Sequence, residues 1–499
     1  MSAVTDSLRA RAVALKMRGE LFIDGKHVPA SSGRTFPTIN PATGVTLAQV
    51  ADGAAEDVER AVRSGRRIFE SGAWSRMPPK QRKKVLLKWA DLIESNLDEL
   101  ALMEVLDSGK PISDARAVDL PDSIETLRWH AEAIDKLYDQ IAPTQSDVVA
   151  MIVREPIGVV GAVLPWNFPI FVAMWKLAPA LAGGNSIVVK PAEQTSLTCI
   201  RLAELAVEAG LPPGAFNVVT GGGETAGQAV GRHPDIDCVS FTGSGEVGRY
   251  FLKYSAESNL KKVILECGGK SPAIVMDDAH DLAAIAGQLA IGILFCQGEN
   301  CSAGSRLIVQ RSLKKPLLAA LTSVFKEWTV GDPLASDTRV GAMIDQSHMN
   351  KVLGYIQKGV QEGAHLVMGG RRLLADSGGY FIGPTIFDGV RNSMTIAREE
   401  IFGPVLSVLT FDHIEEAVRI ANDTNYGLAS SLYTDNLHTA HLVARELRAG
   451  TVSVNCFSEG DMGVPFGGFK ESGFGGRDKS FQAHDQYTET KTIWIQLRR

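Results

Sequence analysis

The sequence predicts an α/β fold: two doubly wound parallel-sheet domains and a small β arm. Three observations carry this. From Ile157 to Gly269, apolar runs of strand length alternate with amphipathic segments at the spacing of βαβ units. A second alternating stretch opens at Ala283–Phe295 and continues to about Thr451. The tail Gln486–Leu497 alternates with the period of a strand.

In chain order, a helical region comes first: Ala55–Ser71, Lys80–Leu106 and roughly Asp122–Tyr138. Ile157–Leu164 is an apolar strand. Val172–Ala182 reads as a helix ended by Gly183-Gly184. Ser186–Val189 is a strand, and Leu197–Ala209 a helix stopped by Gly210 and Pro212-Pro213. Phe216–Val219, Cys238–Phe241 and Val263–Leu265 are further strands, with helical segments near Glu224–Gly231 and Glu246–Tyr254. Residues 1–138 with 157–269 form one expected domain, 270–465 the second, and 139–156 with 480–499 the arm. An exposed terminal strand is a liability unless it is paired.

The 499 residues exceed what one core holds, which agrees with division into domains. Composition is that of an ordinary globular enzyme, 45% hydrophobic and 22% charged, with a net charge of -6. The basic run Lys80-Gln81-Arg82-Lys83-Lys84 is short and leads into an amphipathic helix, so it reads as a solvated face and not a nucleic-acid footprint. Six scattered cysteines without a C-x-x-C pair suggest neither a disulfide framework nor zinc, and point to a reducing, cytoplasmic setting. Arg9, Arg11, Lys16 and Arg18 precede no apolar segment of a secretory signal. An amphipathic transit peptide stays open, with Asp6 and Glu20 against it. The longest apolar stretch, Ala283–Cys296, is too short to span a bilayer.

The stretch Phe295-Cys296-Gln297-Gly298-Glu299-Asn300-Cys301-Ser302 carries the most chemistry. Cys301 lies in a small polar turn after an apolar run, with backbone N–H groups near and room for a substrate. A small residue in a helix-capping turn would look the same locally. Glu266, at a strand end beside Gly268-Gly269, suits a general base whose pKa is held up by burial, or a capping carboxylate. Asn167, between Trp166 and Phe168 with Pro165 and Pro169 outside them, is either an oxyanion donor or an Asx-turn. Phe241-Thr242-Gly243-Ser244-Gly245-Glu246-Val247-Gly248 holds a G-x-G-x-x-G after a strand. It follows the fourth strand of its unit, not the first, so it is no ordinary dinucleotide fingerprint.

Together these motifs resemble the aldehyde dehydrogenase superfamily, over nearly the whole chain. The resemblance implies that Cys301 attacks the aldehyde and that Asn167 and the Cys301 N–H hold the oxyanion. It makes Glu266 the activator of the water that releases the acid. Lys176 and Asp478 match a proton path near Glu266. The cofactor implied is NAD. Lys190 and Glu193 would meet the adenosine ribose, and a carboxylate there disfavours a 2′-phosphate. Ser244 and the helix start at Gly245 would meet the pyrophosphate. Leu164, Pro165, Trp166, Gly223, Gly243 and Gly248 complete the expected cofactor wall, with Glu400 and Phe402 at the nicotinamide ribose. The family has Asn where Cys296 stands and a glutamine-type residue where Glu299 stands. It also implies that the tail strand pairs across subunits with a hairpin near Ile141–Val153, giving a homodimer or homotetramer.

On the substrate side, Phe168, Trp175, Phe295 and Phe466 would line an apolar tunnel. Asp119 and Asp122, spaced i, i+3, would share a helix face. They cap that helix, or they form an anionic mouth for an amine, as their alignment to aminoaldehyde dehydrogenases implies. Glu459-Gly460-Asp461-Met462 resembles the enzymes that oxidise gamma-glutamyl-gamma-aminobutyraldehyde in polyamine catabolism. A broad-specificity enzyme, or one for guanidino- or hydroxy-aldehydes, is the alternative. A non-redox cysteine hydrolase would need a histidine base, and His280 and His348 stand in unpromising contexts. No metal, nucleic acid or membrane partner is expected.

Overall fold

The computed structural model describes residues 3–498. Its first sheet has eight strands, in spatial order Lys26–Val28, Leu21–Ile23, Phe216–Val218, Ser186–Lys190, Val159–Val163, Cys238–Thr242, Lys262–Glu266 and Gly473–Phe474. The five from Phe216–Val218 to Lys262–Glu266 run parallel, and the outer strands join antiparallel. Side-chain alternation feeds two cores. Val160 and Ala162 pack with the Pro169–Ala182 and Leu197–Ala209 helices. Val159 and Val163 pack with the Ala55–Ser71 and Gly245–Ala256 helices. A sheet covered on both faces needs such unbroken apolar runs. The chain builds outward from Val159–Val163 in one direction, then restarts beside it with Cys238–Thr242. Strand order reverses there, and the crevice beyond the carboxyl ends at such a point is where these sheets take ligands.

The second sheet runs His365–Met368, Thr385–Asp388, Val405–Phe411, Arg306–Gln310, Pro272–Val275, Ala429–Tyr433, Thr451–Val454, parallel except at its first pair. The Leu282–Leu294 helix covers one of its faces. Among the described residues no helix is long and apolar enough to cross a membrane.

Two expectations need correction. Lys80–Leu106 is two helices, Pro79–Ser95 and Leu97–Ser108. They break at Asn96, whose side-chain amide donates to the Leu92 carbonyl at 2.7 Å and caps the first helix. The tail strand Thr488–Gln496 takes the hairpin strand of its own chain as its partner. It lies antiparallel along Val148–Pro156 for its whole length. The register is set where the tail begins. The Tyr487 carbonyl accepts from the Ile157 N–H at 3.2 Å and from the Asn185 amide at 3.0 Å. Gln140–Ala142 completes this three-stranded arm, whose Ile141 and Trp494 are exposed.

Candidate active site

A cavity of about 240 Å³ lies beyond the carboxyl ends of the first sheet, between the two sheets. Asn167, Glu266 and Cys301 all line it. The Leu282–Leu294 helix delivers the cysteine. It runs into a turn in which Cys296, Gln297 and Gly298 all take positive φ, at 51°, 56° and 74°. Two non-glycine residues in the left-handed region cost roughly 1–3 kcal/mol each and persist only where surroundings impose them. Glu299 supplies much of that surrounding. Its carboxylate accepts from the Ile344 N–H at 3.0 Å and the Gln297 amide at 3.2 Å. Its carbonyl accepts from the Asn167 side chain at 2.8 Å. The Cys296 thiol donates to the Asn167 carbonyl at 3.5 Å, so it packs the turn behind Cys301.

Asn167 therefore commits one amide hydrogen to the turn and keeps the other for the cavity. The Cys301 N–H faces its own sulfur. Burial pushes the Cys301 thiol well up, and the Glu459, Glu400 and Glu266 carboxylates add to this. Glu266 ends the Lys262–Glu266 strand and is 4% exposed, with neither oxygen hydrogen-bonded in normal geometry. Burial raises its pKa well above the carboxylate range. Asp478 raises it further, while Lys176, Arg477 and the Gly468 N–H oppose weakly. A Cβ on Gly467 would come within 2.6 Å of a Glu266 oxygen, so only glycine leaves the carboxyl this room. Lys176 donates to Asp478 at 2.5 Å, both side chains being fully buried. The Phe466–Asp478 backbone pair, at 2.7 and 2.8 Å, seats that aspartate.

On the other side, Glu193 forms an ion pair with Lys190 at 2.9 Å and accepts from the Gly223 N–H at 2.5 Å. Burial opposes the charge, yet these partners hold the Glu193 pKa below its ordinary value. Leu164 is buried, and its N–H donates to the Lys190 carbonyl at 3.0 Å, so it ties the two strand ends together. Pro165, Trp166, Gly243 and Ser244 line the cavity. Ser244 caps the Gly245–Ala256 helix through the Val247 N–H. Other first-turn N–H groups stay available to an anion, and the buried Thr242 hydroxyl lacks a partner. Gly248 does not face the cavity. A Cβ there would meet the Cys267 sulfur at 3.2 Å, so this glycine serves close helix–strand packing. Glu400 accepts from the Gly269 N–H at 2.9 Å, and burial raises it to about 7. Phe402 has φ 60° and sets its ring edge-on to Trp166 at 5.2 Å.

Phe168, Trp175 and Phe466 line the apolar wall, joined by Phe171 and Val172. Phe295 instead stacks behind Phe168 at 5.9 Å. The acidic mouth is not formed as expected. Asp119 is fully buried and bonded to Lys110. It closes the π-helical turn Ala115–Asp119 and faces the core, whereas Asp122, in the first turn of the Leu120–Ala133 helix, is exposed. Asp119 holds the N-cap position of the Leu120–Ala133 helix without a side-chain cap, and Asp122 is a first-turn acid outside the cavity. Two further residues, not assigned to the site from the sequence, line the cavity. His348 is brought in by tertiary folding alone, and its Nε2–H donates to the Phe402 carbonyl at 2.6 Å. Glu459 lies on a loop and accepts from the Ser302 hydroxyl, one residue from Cys301.

Comparison with known proteins follows the same lines. An aminoacetaldehyde dehydrogenase of Pseudomonas aeruginosa is 56% identical over 486 residues, covering 97% of either chain. The NADP/NAD-dependent aldehyde dehydrogenase PuuC of Escherichia coli is 48% identical over 487 residues, covering 98% of this chain and 97% of its own. The crystal structure of an indole-3-acetaldehyde dehydrogenase complexed with NAD+ superposes with TM-score 0.98 at 53% identity, covering 99% of this chain and 100% of that one. The model of the aldehyde dehydrogenase family matches residues 27–493. With that span matched and a cysteine, an amide and a carboxyl around one cavity, the chain belongs to the aldehyde dehydrogenase family.

Proposed function

We propose that this protein oxidises aldehydes carrying an amine to their carboxylic acids, with NAD as hydride acceptor. One observation carries the chemistry: the Cys301 thiol, the Asn167 amide and the Glu266 carboxyl face one largely apolar cavity. The similarity to an aminoacetaldehyde dehydrogenase and to PuuC supports the amine. Gamma-glutamyl-gamma-aminobutyraldehyde is the longer candidate of that class.

The residues present fit a dinucleotide. Glu193 and Lys190 offer a carboxylate and an ammonium for a ribose. The Gly245–Ala256 helix start and the partnerless Thr242 hydroxyl suit a diphosphate. Glu400, reachable because Gly268 has no side chain, suits the second ribose. When bound, NAD accepts the hydride that turns the thiohemiacetal into a thioester.

The chain's own part is positioning and proton handling. Cys301 must lose its proton to attack, because its surroundings favour the thiol. The Asn167 amide and the Cys301 N–H stabilise the oxygen that gains charge, in a cavity where such donors count for more than in water. Glu266 then takes a proton from the water that cleaves the thioester. Its raised pKa keeps it basic enough for the task. Lys176 and Asp478 stand beside it as the exit for that proton. A non-redox hydrolase is disfavoured, because His348 is tied to the Phe402 carbonyl by Nε2. All six cysteines are unpaired, which suits a reducing, cytoplasmic compartment. The exposed arm residues Ile141 and Trp494 suit burial in a homodimer or homotetramer.

The test is NADH formation across a panel of aldehydes. Wild type should form one NADH per acid released, and Cys301→Ala should form none while still binding NAD. NADH production by the mutant would exclude Cys301 as nucleophile.

A further inference from the structure

Five carboxylate or ammonium side chains line the cavity: Glu266, Lys351, Glu400, Glu459 and Asp478. Asp478 is held by Lys176, and Glu400 by the Gly269 N–H. Glu266 belongs to the reacting carbon. Glu459 stands apart. One of its oxygens accepts from the Ser302 hydroxyl, while the Ser302 N–H holds Asn300 Oδ1 at 3.0 Å. No cation lies within ion-pair distance of its carboxylate among the described residues. The Lys479 ammonium lies within electrostatic reach of Glu459 without forming an ion pair with it. It donates to the Glu459 and Gly460 carbonyls at 3.3 and 3.1 Å and sits over the Trp175 ring at 4.9 Å.

Resting on the amino-aldehyde reading above, we infer that Glu459 is the residue that selects a cationic substrate, by pairing its second carboxylate oxygen with the ammonium. Position limits the substrate. Ser302 follows Cys301 directly, and consecutive Cα atoms stand about 3.8 Å apart. A carboxylate bonded to Ser302 therefore meets an amine only a few bonds from the carbonyl carbon. The Trp175 and Phe466 ring faces already carry the Lys479 ammonium, at 4.9 and 5.6 Å, so Glu459 and not those rings is left to meet the substrate's cation. The pairing has a second effect. Glu459 is the foremost carboxylate opposing ionisation of Cys301. An ammonium placed on it removes that opposition as the substrate arrives, so the cation both binds and eases formation of the thiolate.

Charge sign is the readout that a merely structural glutamate would not move. Wild type, Glu459→Gln and Glu459→Asp are assayed with 3-aminopropanal, butanal and succinic semialdehyde. In Glu459→Gln the ratio of kcat/KM for 3-aminopropanal to that for butanal should fall about tenfold, as expected for a charge-assisted hydrogen bond. The ratio for succinic semialdehyde to butanal should rise. Glu459→Asp, which keeps the charge, should keep the wild-type order. If wild type prefers 3-aminopropanal and Glu459→Gln keeps that preference, the inference is overturned and the amino-aldehyde reading stands. If wild type shows no preference for the cation, both fall.

Discussion

The Asn167 side chain donates to the Glu299 carbonyl at 2.8 Å, so the donor that would face the oxyanion is itself fastened to the turn that carries the nucleophile. Loop and strand end cannot drift apart without breaking that bond. The Glu299 carboxyl grips the same turn from its other side.

That carboxyl makes the first prediction. Burial raises the Glu299 pKa well above its ordinary value. The folded protein then binds a proton that the unfolded chain releases, and stability falls as pH rises through the interval between the two pKa values. Glu299→Gln has no such proton. It can also receive the Gln297 carbonyl oxygen, which has no partner in the native turn, after a flip of that amide. The variant should be the more stable at pH ~8, by about 1.4 kcal/mol for each pH unit of the interval, with little difference near pH ~4. Denaturant unfolding at both values checks this. Equal stability at the higher pH would mean the carboxylate is ionised and served by His348, 3.7 Å away.

Glu266→Gln should slow acid release more than hydride transfer. Pre-steady-state mixing should give a burst of about one NADH per site, then a slow phase. In wild type the release step should weaken as pH drops through the raised Glu266 pKa, because the base becomes protonated. The glutamine variant should lose that limb. A slowed burst would assign Glu266 to the thiol.

Glu193 should set cofactor choice. Its carboxylate, held ionised by Lys190 and the Gly223 N–H, would repel a 2′-phosphate. Wild type should prefer NAD, and Glu193→Gln should shift the NAD/NADP ratio of kcat/KM toward NADP by several-fold. An unmoved ratio would put ribose recognition elsewhere.

Asp119→Asn should act on stability and not on selectivity. It leaves the Lys110 ammonium buried without its counter-ion. Breaking such a pair costs about 3–5 kcal/mol. The melting temperature should drop, while the preference between 3-aminopropanal and butanal stays. A lost preference would restore Asp119 to the substrate mouth.

Much of this molecule is legible in its sequence, for identifiable reasons. Val159–Val163, Ser186–Lys190 and Cys238–Thr242 are runs that only a doubly covered sheet can bury, so their pattern is local and strong. Cys301 is legible because a cysteine in a polar turn stands out against apolar neighbours. The hairpin Leu21–Val28 carries a local signal of its own. Asp24-Gly25, both at positive φ, is a recognised two-residue turn signal, but its strands are only three residues long. Asp119 failed for another reason. Helical spacing sets Asp119 three residues from Asp122 but does not say which of the two meets the core. Lys110, nine residues earlier, decides where its carboxylate goes. His348 and Glu459 are both named from the sequence, but nothing local shows that either reaches the cavity. Each reaches the cavity by a route through the fold, which no window of sequence contains.

The strand Gly473–Phe474 closes the first sheet at the edge where Glu266 sits, with Gly473 registered opposite that residue. During synthesis the ribosome therefore finishes the first lobe almost last, some two hundred residues after making Glu266. Until those residues emerge, the base-bearing strand has a bare flank and needs shielding from other nascent chains. A fragment cut after the second sheet would carry every side chain proposed for the chemistry except Glu459, Phe466 and Asp478, and would still lack the seam that holds Glu266 in place.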